Sequence, residues 1–296
     1  MFRENRVWQT AAHIIYILLT IACIAPFVLL ISSSLTDEAV ILKSGYSFFP
    51  KEFSLDAYRY LLTGGESIAR AYGITVFVTV FGTATGLLMS AMLAYPLSRR
   101  DYPARNILLF LVVITLLFNG GLVPTYLVYT QLLNLKNTIW ALIVPGLLMN
   151  GFNVMLIQTF FRTSIPSAVI ESASIDGAGE FRIFWTIVLR LSTPVLATVG
   201  LFQTLMYWND WMNGTVYLTN TKLYGIQNVL NRILSDAQFL ASSSFGANSN
   251  VLASASPPLE TVKMAIAVIG VLPVLIVYPF CQKYFVKGIA LGAVKG

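Results

Sequence analysis

Glu171-Ser172-Ala173-Ser174-Ile175-Asp176-Gly177 is a polar stretch wedged between two long apolar segments, and it holds more than a turn needs. It carries two carboxylates and closes on a helix-breaking glycine. Ser164 is placed to cap a helix whose first turn contains Pro166, where proline is accepted because its missing N–H has no helical partner anyway. Ala168, Val169, Ser172 and Ala173 give that helix a small, mildly apolar face, and Gly177 supplies the residue that ends it. Phe181, Phe184 and Trp185 follow at helical spacing and predict a second amphipathic piece along the membrane surface. Small side chains let another protein's groove approach a helix closely. The residues alone leave two readings open, a docking helix and an interfacial connector.

Outward from this loop the chain is strongly apolar. Of its 296 residues 56% are hydrophobic and 11% charged, against about 25% charged in a soluble domain. Six segments reach the roughly 20 apolar residues that a membrane helix needs. They are His13–Ser33, Ala71–Leu97, Asn106–Val123, Asn137–Phe161, Phe184–Trp208 and Met264–Gln282. The expectation is an all-α, polytopic membrane protein with six transmembrane helices. The run from Trp8 to Thr36 is too long for a cleaved signal, whose apolar region spans about 7–15 residues, and reads as a retained span. Arg190 delays the apolar part of the fifth segment to about Leu191, its head reaching back to the lipid phosphates.

An even number of spans puts both termini on one side. The segments sharing that side with the Glu171 loop hold eleven basic and five acidic residues; the others hold eight of each. The positive-inside rule then makes both termini and the loop cytoplasmic. The organisation expected is an N-terminal tail and first span over 1–33, an extracytoplasmic loop over 34–70, and a five-helix core over 71–296. The core includes the cytoplasmic loop 163–187 and a long extracytoplasmic loop 209–263 with a helical piece from Ile226 to Ile233. Loops of this length read as solvated linkers or as contact surfaces for an external partner.

The spans hold few polar groups. Asn119-Gly120-Gly121 and Pro124 predict a break in the third, and Pro145, Gly146, Asn150, Gly151 and Asn153 mark the middle of the fourth. Gln203 lies in the fifth, with Tyr207, Trp208 and Trp211 near its end as interfacial anchors. Asn150, Asn153, Gln203 and Tyr207 read either as interhelical hydrogen-bonding groups or as the lining of a substrate path. No Asp, Glu, Lys, Arg or His sits in the middle of a span, which weighs against an ion-coupled carrier. One histidine, His13, and scattered carboxylates argue against a membrane-embedded enzyme and leave no catalytic residue to name. The same His13, with Cys23 and Cys281 in apolar surroundings, makes neither a zinc site nor a disulfide framework, so no metal is expected. No G-x-x-x-x-G-K-[ST] run occurs, so an ATP requirement would fall on another chain. Short basic clusters beside apolar segments fit lipid rather than nucleic acid.

Glu171-Ser172-Ala173, three residues, Gly177, nine residues, then Ile187-Val188-Leu189 resembles the EAA loop of ATP-binding-cassette importer permeases. That family reads Glu-Ala-Ala, three residues, Gly, nine residues, Ile-x-Leu-Pro. Ser172 replaces an alanine, and Arg190 stands where proline is usual. Asp176-Gly177-Ala178, Leu135-Lys136-Asn137-Thr138, Tyr207-Trp208-Asn209 and the tail Tyr284–Gly288 and Gly292–Gly296 are similar to the maltose-type carbohydrate branch. The resemblance implies the type I importer permease fold in a bacterial cell membrane. It implies an ATP-driven uptake of an oligosaccharide or modified sugar, with a non-sugar solute such as a peptide as the alternative. It also implies a homologous second permease, two cytoplasmic ATPase subunits that bind ATP and Mg, and an external solute-binding protein; this chain itself needs no cofactor. Glu171, Ser172, Ala173, Asp176, Gly177 and Ala178 would form the ATPase-coupling helix, and the tail from Lys287 to Gly296 would also reach the ATPase pair.

Overall fold

Lipid offers no water to backbone N–H and C=O groups, so apolar segments must close their own hydrogen bonds as helix. The computed structural model describes residues 6–63, 65–243 and 260–276, and its regular elements are helical. In chain order they are α1 (Arg6–Ser34), α2 (Glu38–Ser44), α3 (Asp56–Thr63), α4 (Gly65–Ser98), α5 (Arg105–Leu117), α6 (Leu122–Leu127) and α7 (Trp140–Ile143). There follow α8 (Gly151–Ser164), α9 (Ser167–Ile175), α10 (Glu180–Ile183), α11 (Leu189–Leu191), α12 (Thr193–Trp208), α13 (Met212–Tyr217) and α14 (Ile226–Ser243). Residues 260–276 are also helical. A π-helical segment, Val128–Leu132, extends α6, and another, Phe184–Val188, joins α10 to α11. The tail motifs at 284–296 lie outside the described residues.

The chain forms two units, Met1–Ile68 with Leu230–Pro273 and Ala69–Val229 with Val274–Gly296. In the first, residues 13–24 of α1 are all exposed, as an apolar helix facing lipid requires. The stretch 34–70, expected as loop, instead carries α2, α3 and the start of α4. Local capping explains this. Asp37 accepts from Ala39 N at 2.9 Å to start α2, and Lys43 sits in its last turn against the helix dipole. Ser54 and Asp56 pair at the start of α3. Glu38 accepts from Glu260 N (2.9 Å), Thr261 N (2.8 Å) and Thr261 Oγ1 (2.8 Å), so one carboxylate satisfies the first turn of the 260–276 helix. Lys263, and then the Tyr46 hydroxyl, hold the Glu260 carboxyl below its ordinary range.

The second unit holds the core. Ala94 and Leu97 of α4, Val154 and Ile157 of α8, Ile183 of α10, Val188 of the π-helical segment and Val199 of α12 are all essentially inaccessible and form one cluster. Apolar burial gains little against lipid tails, so close packing of these side chains does the work.

Among the described residues two helices, Trp8–Ser34 and Glu66–Ser98, are each long and apolar enough to cross a membrane. Two bent pairs pass together: Arg105–Leu117 with Leu122–Leu132 at 115°, and Glu180–Leu191 with Thr193–Trp208 at 81°. The first bend is the expected break, where Gly121 takes φ +83°. The second falls at Ser192, and Pro194 starts α12 where the missing proline at 190 could not. The fourth apolar segment, Asn137–Phe161, is not one helix. Four residues of α7 are followed by irregular backbone from 144 to 150, because Pro145 has no N–H to give and Gly146 takes φ +70°. The expected helical piece Ile226–Ile233 runs on to Ser243.

Candidate functional site

Helix α9 starts differently from the sequence reading. Ser164 is the last residue of α8 and does not cap α9; Pro166 occupies the N-cap with extended backbone (φ −63°, ψ 131°). Proline's fixed φ ends α8 and opens α9 at once. The C-terminal end is as expected. Gly177 is left-handed at φ +79°. Its N–H donates to Ser174 O at 3.1 Å, and Ala178 N to Ala173 O at 3.0 Å. These are the two bonds of a Schellman turn.

This geometry sorts the side chains of the loop. Ile165 is buried, and Ile170, Ala173 and Ala178 are half-buried against the core. Ala168, Glu171, Ser172 and Ile175, spaced by three or four, are exposed along one face, Ile175 by 86%. Asp176 and Gly177 are exposed beyond them. The outward face is therefore apolar at its tip with Glu171 beside it. Phe184 does not lie on a surface: it is buried, 5.4 Å from the Tyr95 ring. Phe181 is exposed and meets Trp185 edge-on.

One group of residues near the loop was not singled out in the sequence. The Tyr95 hydroxyl donates to Glu180 Oε2. Arg99 Nη2 donates to Glu180 Oε1 at 3.4 Å and to Asp101 Oδ2 at 2.9 Å, while Arg99 Nε donates to Asp101 Oδ1 at 3.0 Å. The Arg99 hydrogen bonds hold the Asp101 carboxyl below its ordinary range. The signal available was the Arg99-Arg100-Asp101 cluster at the end of a span. A cleft of about 720 Å³ opens beside it, lined in part by Arg100, Arg162, Pro166 and Glu171.

Three of the four polar residues of the spans have defined side-chain partners. Asn150 is the N-cap of α8, accepting from Phe152 N at 2.8 Å. Gln203 Nε2 donates to Leu147 O (3.0 Å) and Leu148 O (3.3 Å), and the Tyr207 hydroxyl to Ile143 O (2.8 Å). Asn213 Nδ2 adds a bond to Pro145 O at 3.0 Å. Together these side chains supply donors to the carbonyls that the broken fourth segment leaves open. Gln203 and Tyr207 are buried, as is Asn153, whose Nδ2 has no partner. Helix α4 comes close enough to α12 that a Cβ on Gly82 would overlap the Tyr207 ring, and one on Gly86 would overlap Gln203 Nε2 and the Leu148 carbonyl oxygen. Asn137 was quoted for its motif alone; it takes φ +57° and its Oδ1 accepts from Thr219 N and Asn220 N. Among the described residues no group of three His, Cys, Asp or Glu could hold a metal ion.

A short helix projected from a helical membrane core, with the EAA spacing around it, fits one family, and residues 86–291 match it: binding-protein-dependent transport system inner membrane component. The chain belongs to this family. It is 41% identical over 294 residues, 99% of this chain and 100% of the other, to a polygalacturonan/rhamnogalacturonan transport system permease protein of Bacillus subtilis (strain 168). It is 27% identical over 298 residues, 98% of this chain and 97% of the other, to an arabinooligosaccharides transport system permease protein of the same organism. A bacterial ABC transporter involved in importing the acidic polysaccharide alginate has a chain with the same fold, at TM-score 0.80 and 29% identity, covering 96% of this chain and 99% of that one. The chain is thus a membrane permease subunit with the ABC importer permease fold.

Proposed function

We propose that this permease passes a carbohydrate, a fragment of an acidic polysaccharide, from an extracytoplasmic binding protein to the cytoplasm of a bacterium. The observation that carries the mechanism is α9, stopped by its Schellman turn and offering Glu171, Ser172 and Ile175 outward. That face docks on a cytoplasmic ATPase; with Ala173, Asp176, Gly177 and Ala178 shaping the helix end, ATP binding by two such subunits moves the loop. The chain crosses the membrane six times with both termini inside, and a second, homologous permease completes the path. ATP and Mg stay on the ATPase pair. The names of the relatives support the substrate class, since the polygalacturonan relative is 41% identical and the alginate importer shares the fold over nearly the whole chain. Asn150, Asn153, Gln203 and Tyr207 line the path only in a state where the broken fourth segment opens; in this structure Gln203 and Tyr207 brace it and Asn150 caps α8.

The test is reconstitution of the co-purified complex in proteoliposomes with its binding protein. Oligogalacturonides or alginate oligomers should stimulate ATP hydrolysis, and Glu171→Lys should abolish uptake while the chain still inserts. Uptake at the wild-type rate by Glu171→Lys would remove the docking role, and stimulation by neutral arabino-oligosaccharides alone would remove the acidic class.

A further inference from the structure

The polar group at the end of α4 has a geometry that plain surface ion pairs lack, because it ties the first residue of α10 and the residue just after α10 to the last turn of α4 and the residue beyond it. Tyr95 touches two residues of the loop's exit at once: its hydroxyl donates to Glu180, and its ring packs on Phe184. Arg99, just past the end of α4, also reaches Glu180 and is itself oriented by Asp101. Glu180 lies three residues past Gly177, at the first position of α10, and Gly179 before it is extended at φ −69°, ψ 158°. The short link from the Schellman turn to α10 leaves little slack between α9 and Glu180. On its other side α4 is packed without clearance on α12 through Gly82 and Gly86, against the same Tyr207 and Gln203 that hold the carbonyls of 143–148.

We propose that Glu180 is a positioning residue that transmits movement of α9 to α4, with Tyr95 and Arg99 as its anchors. The inference rests on reading α9 as the ATPase-docking helix. A push on α9 passes through the glycine turn to Glu180, from Glu180 to the end of α4, and along α4 to the braced break in the fourth segment. Stability is not what these bonds supply. The Glu180 side chain is 61% exposed and the Arg99 side chain 20%, and ion pairs so open to water contribute little to folding. A coupling path needs a packed element that both ends can bias, and α4 touches the loop exit near one end and the braced break through Gly82 and Gly86.

The experiment compares uptake with ATP hydrolysis in proteoliposomes of the whole complex, for wild type, Glu180→Ala, Glu180→Gln and Tyr95→Phe. Glu180→Ala should insert, co-purify with the ATPase and hydrolyse ATP at the basal rate, while solute moved per ATP falls fivefold or more. Glu180→Gln keeps an acceptor for Tyr95 but loses the charge facing Arg99, and should fall between wild type and Glu180→Ala. Tyr95→Phe should give a smaller loss of the same kind. Unchanged solute per ATP in both Glu180→Ala and Tyr95→Phe would overturn the proposal. So would loss of ATPase co-purification in Glu180→Ala, which would make Glu180 a docking contact. Failure of wild type to couple hydrolysis to solute would instead overturn the importer reading beneath it, and is distinguished by needing no variant.

Discussion

Two sets of polar side chains tie helices together in this permease, and they do so under opposite conditions. Gln203, Tyr207 and Asn213 brace the carbonyls of 143–148, at and beyond the end of α7, with Gln203 and Tyr207 buried. Tyr95, Arg99 and Asp101 hold Glu180 where water reaches both carboxylates. The hydrogen-bonding chemistry is similar, but the cost of breaking it is not. A buried carbonyl that loses its donor stays unsatisfied, whereas an exposed carboxylate takes water instead. The first set fixes the fold, and the second can exchange its partners for water at little cost.

The sharpest way to break the comparison is at Gly86. Gly86→Leu drives a side chain into Gln203 and the Leu148 carbonyl, so folded protein should be lost, read as the yield of monodisperse protein in mild detergent. Next comes Gln203→Leu, which strips the donor from two carbonyls and should cost about 1–3 kcal/mol in a reversible unfolding titration. Tyr207→Phe loses one donor and should cost about 1 kcal/mol by the same measurement. Gly177→Ala imposes a left-handed alanine at about 1–2 kcal/mol. Because the loop is exposed, that cost should appear as faster amide hydrogen exchange over residues 168–178 with little change in the global midpoint.

The smallest effect belongs to Asp101. Its folded-state pKa is depressed by Arg99, so its stabilising contribution is present above the ordinary aspartate value and is lost as pH falls through the depressed one. Asp101→Asn should therefore lose a small amount of stability at pH 7, small because water screens the exposed carboxylate, and approach wild type as pH falls through the depressed value, flattening the acid limb of a pH–stability curve. A flat wild-type curve there would show that water screens the pair completely.

Much of this was legible in the sequence because the physics is local. The helix stop at Gly177 follows from glycine's access to positive φ, and the first bend from Asn119-Gly120-Gly121. Ser164 misled because a serine before Pro166 is an ordinary cap signal, yet the backbone of α8 was still helical there. The break at 144–150 showed only as a run of Pro, Gly and Asn inside an apolar segment. What rescues it, donors from Gln203 and Tyr207 some sixty positions later, has no local signature. Spacing alone places Phe184 on a surface; its burial depends on Tyr95, brought to it by the tertiary fold. The Glu180 group failed for the same reason, since Arg99 and Glu180 are 81 residues apart.

The zero clearance at Gly86 also constrains how lineages of this permease can diverge. A side chain at 86 would be tolerated only where position 203 has shrunk, and a shrunken 203 would strand the Leu147 and Leu148 carbonyls. Descendants that vary one of these sites should vary the other, together with the length or proline content of the 144–150 stretch, so that the three drift as a linked set or stay fixed together.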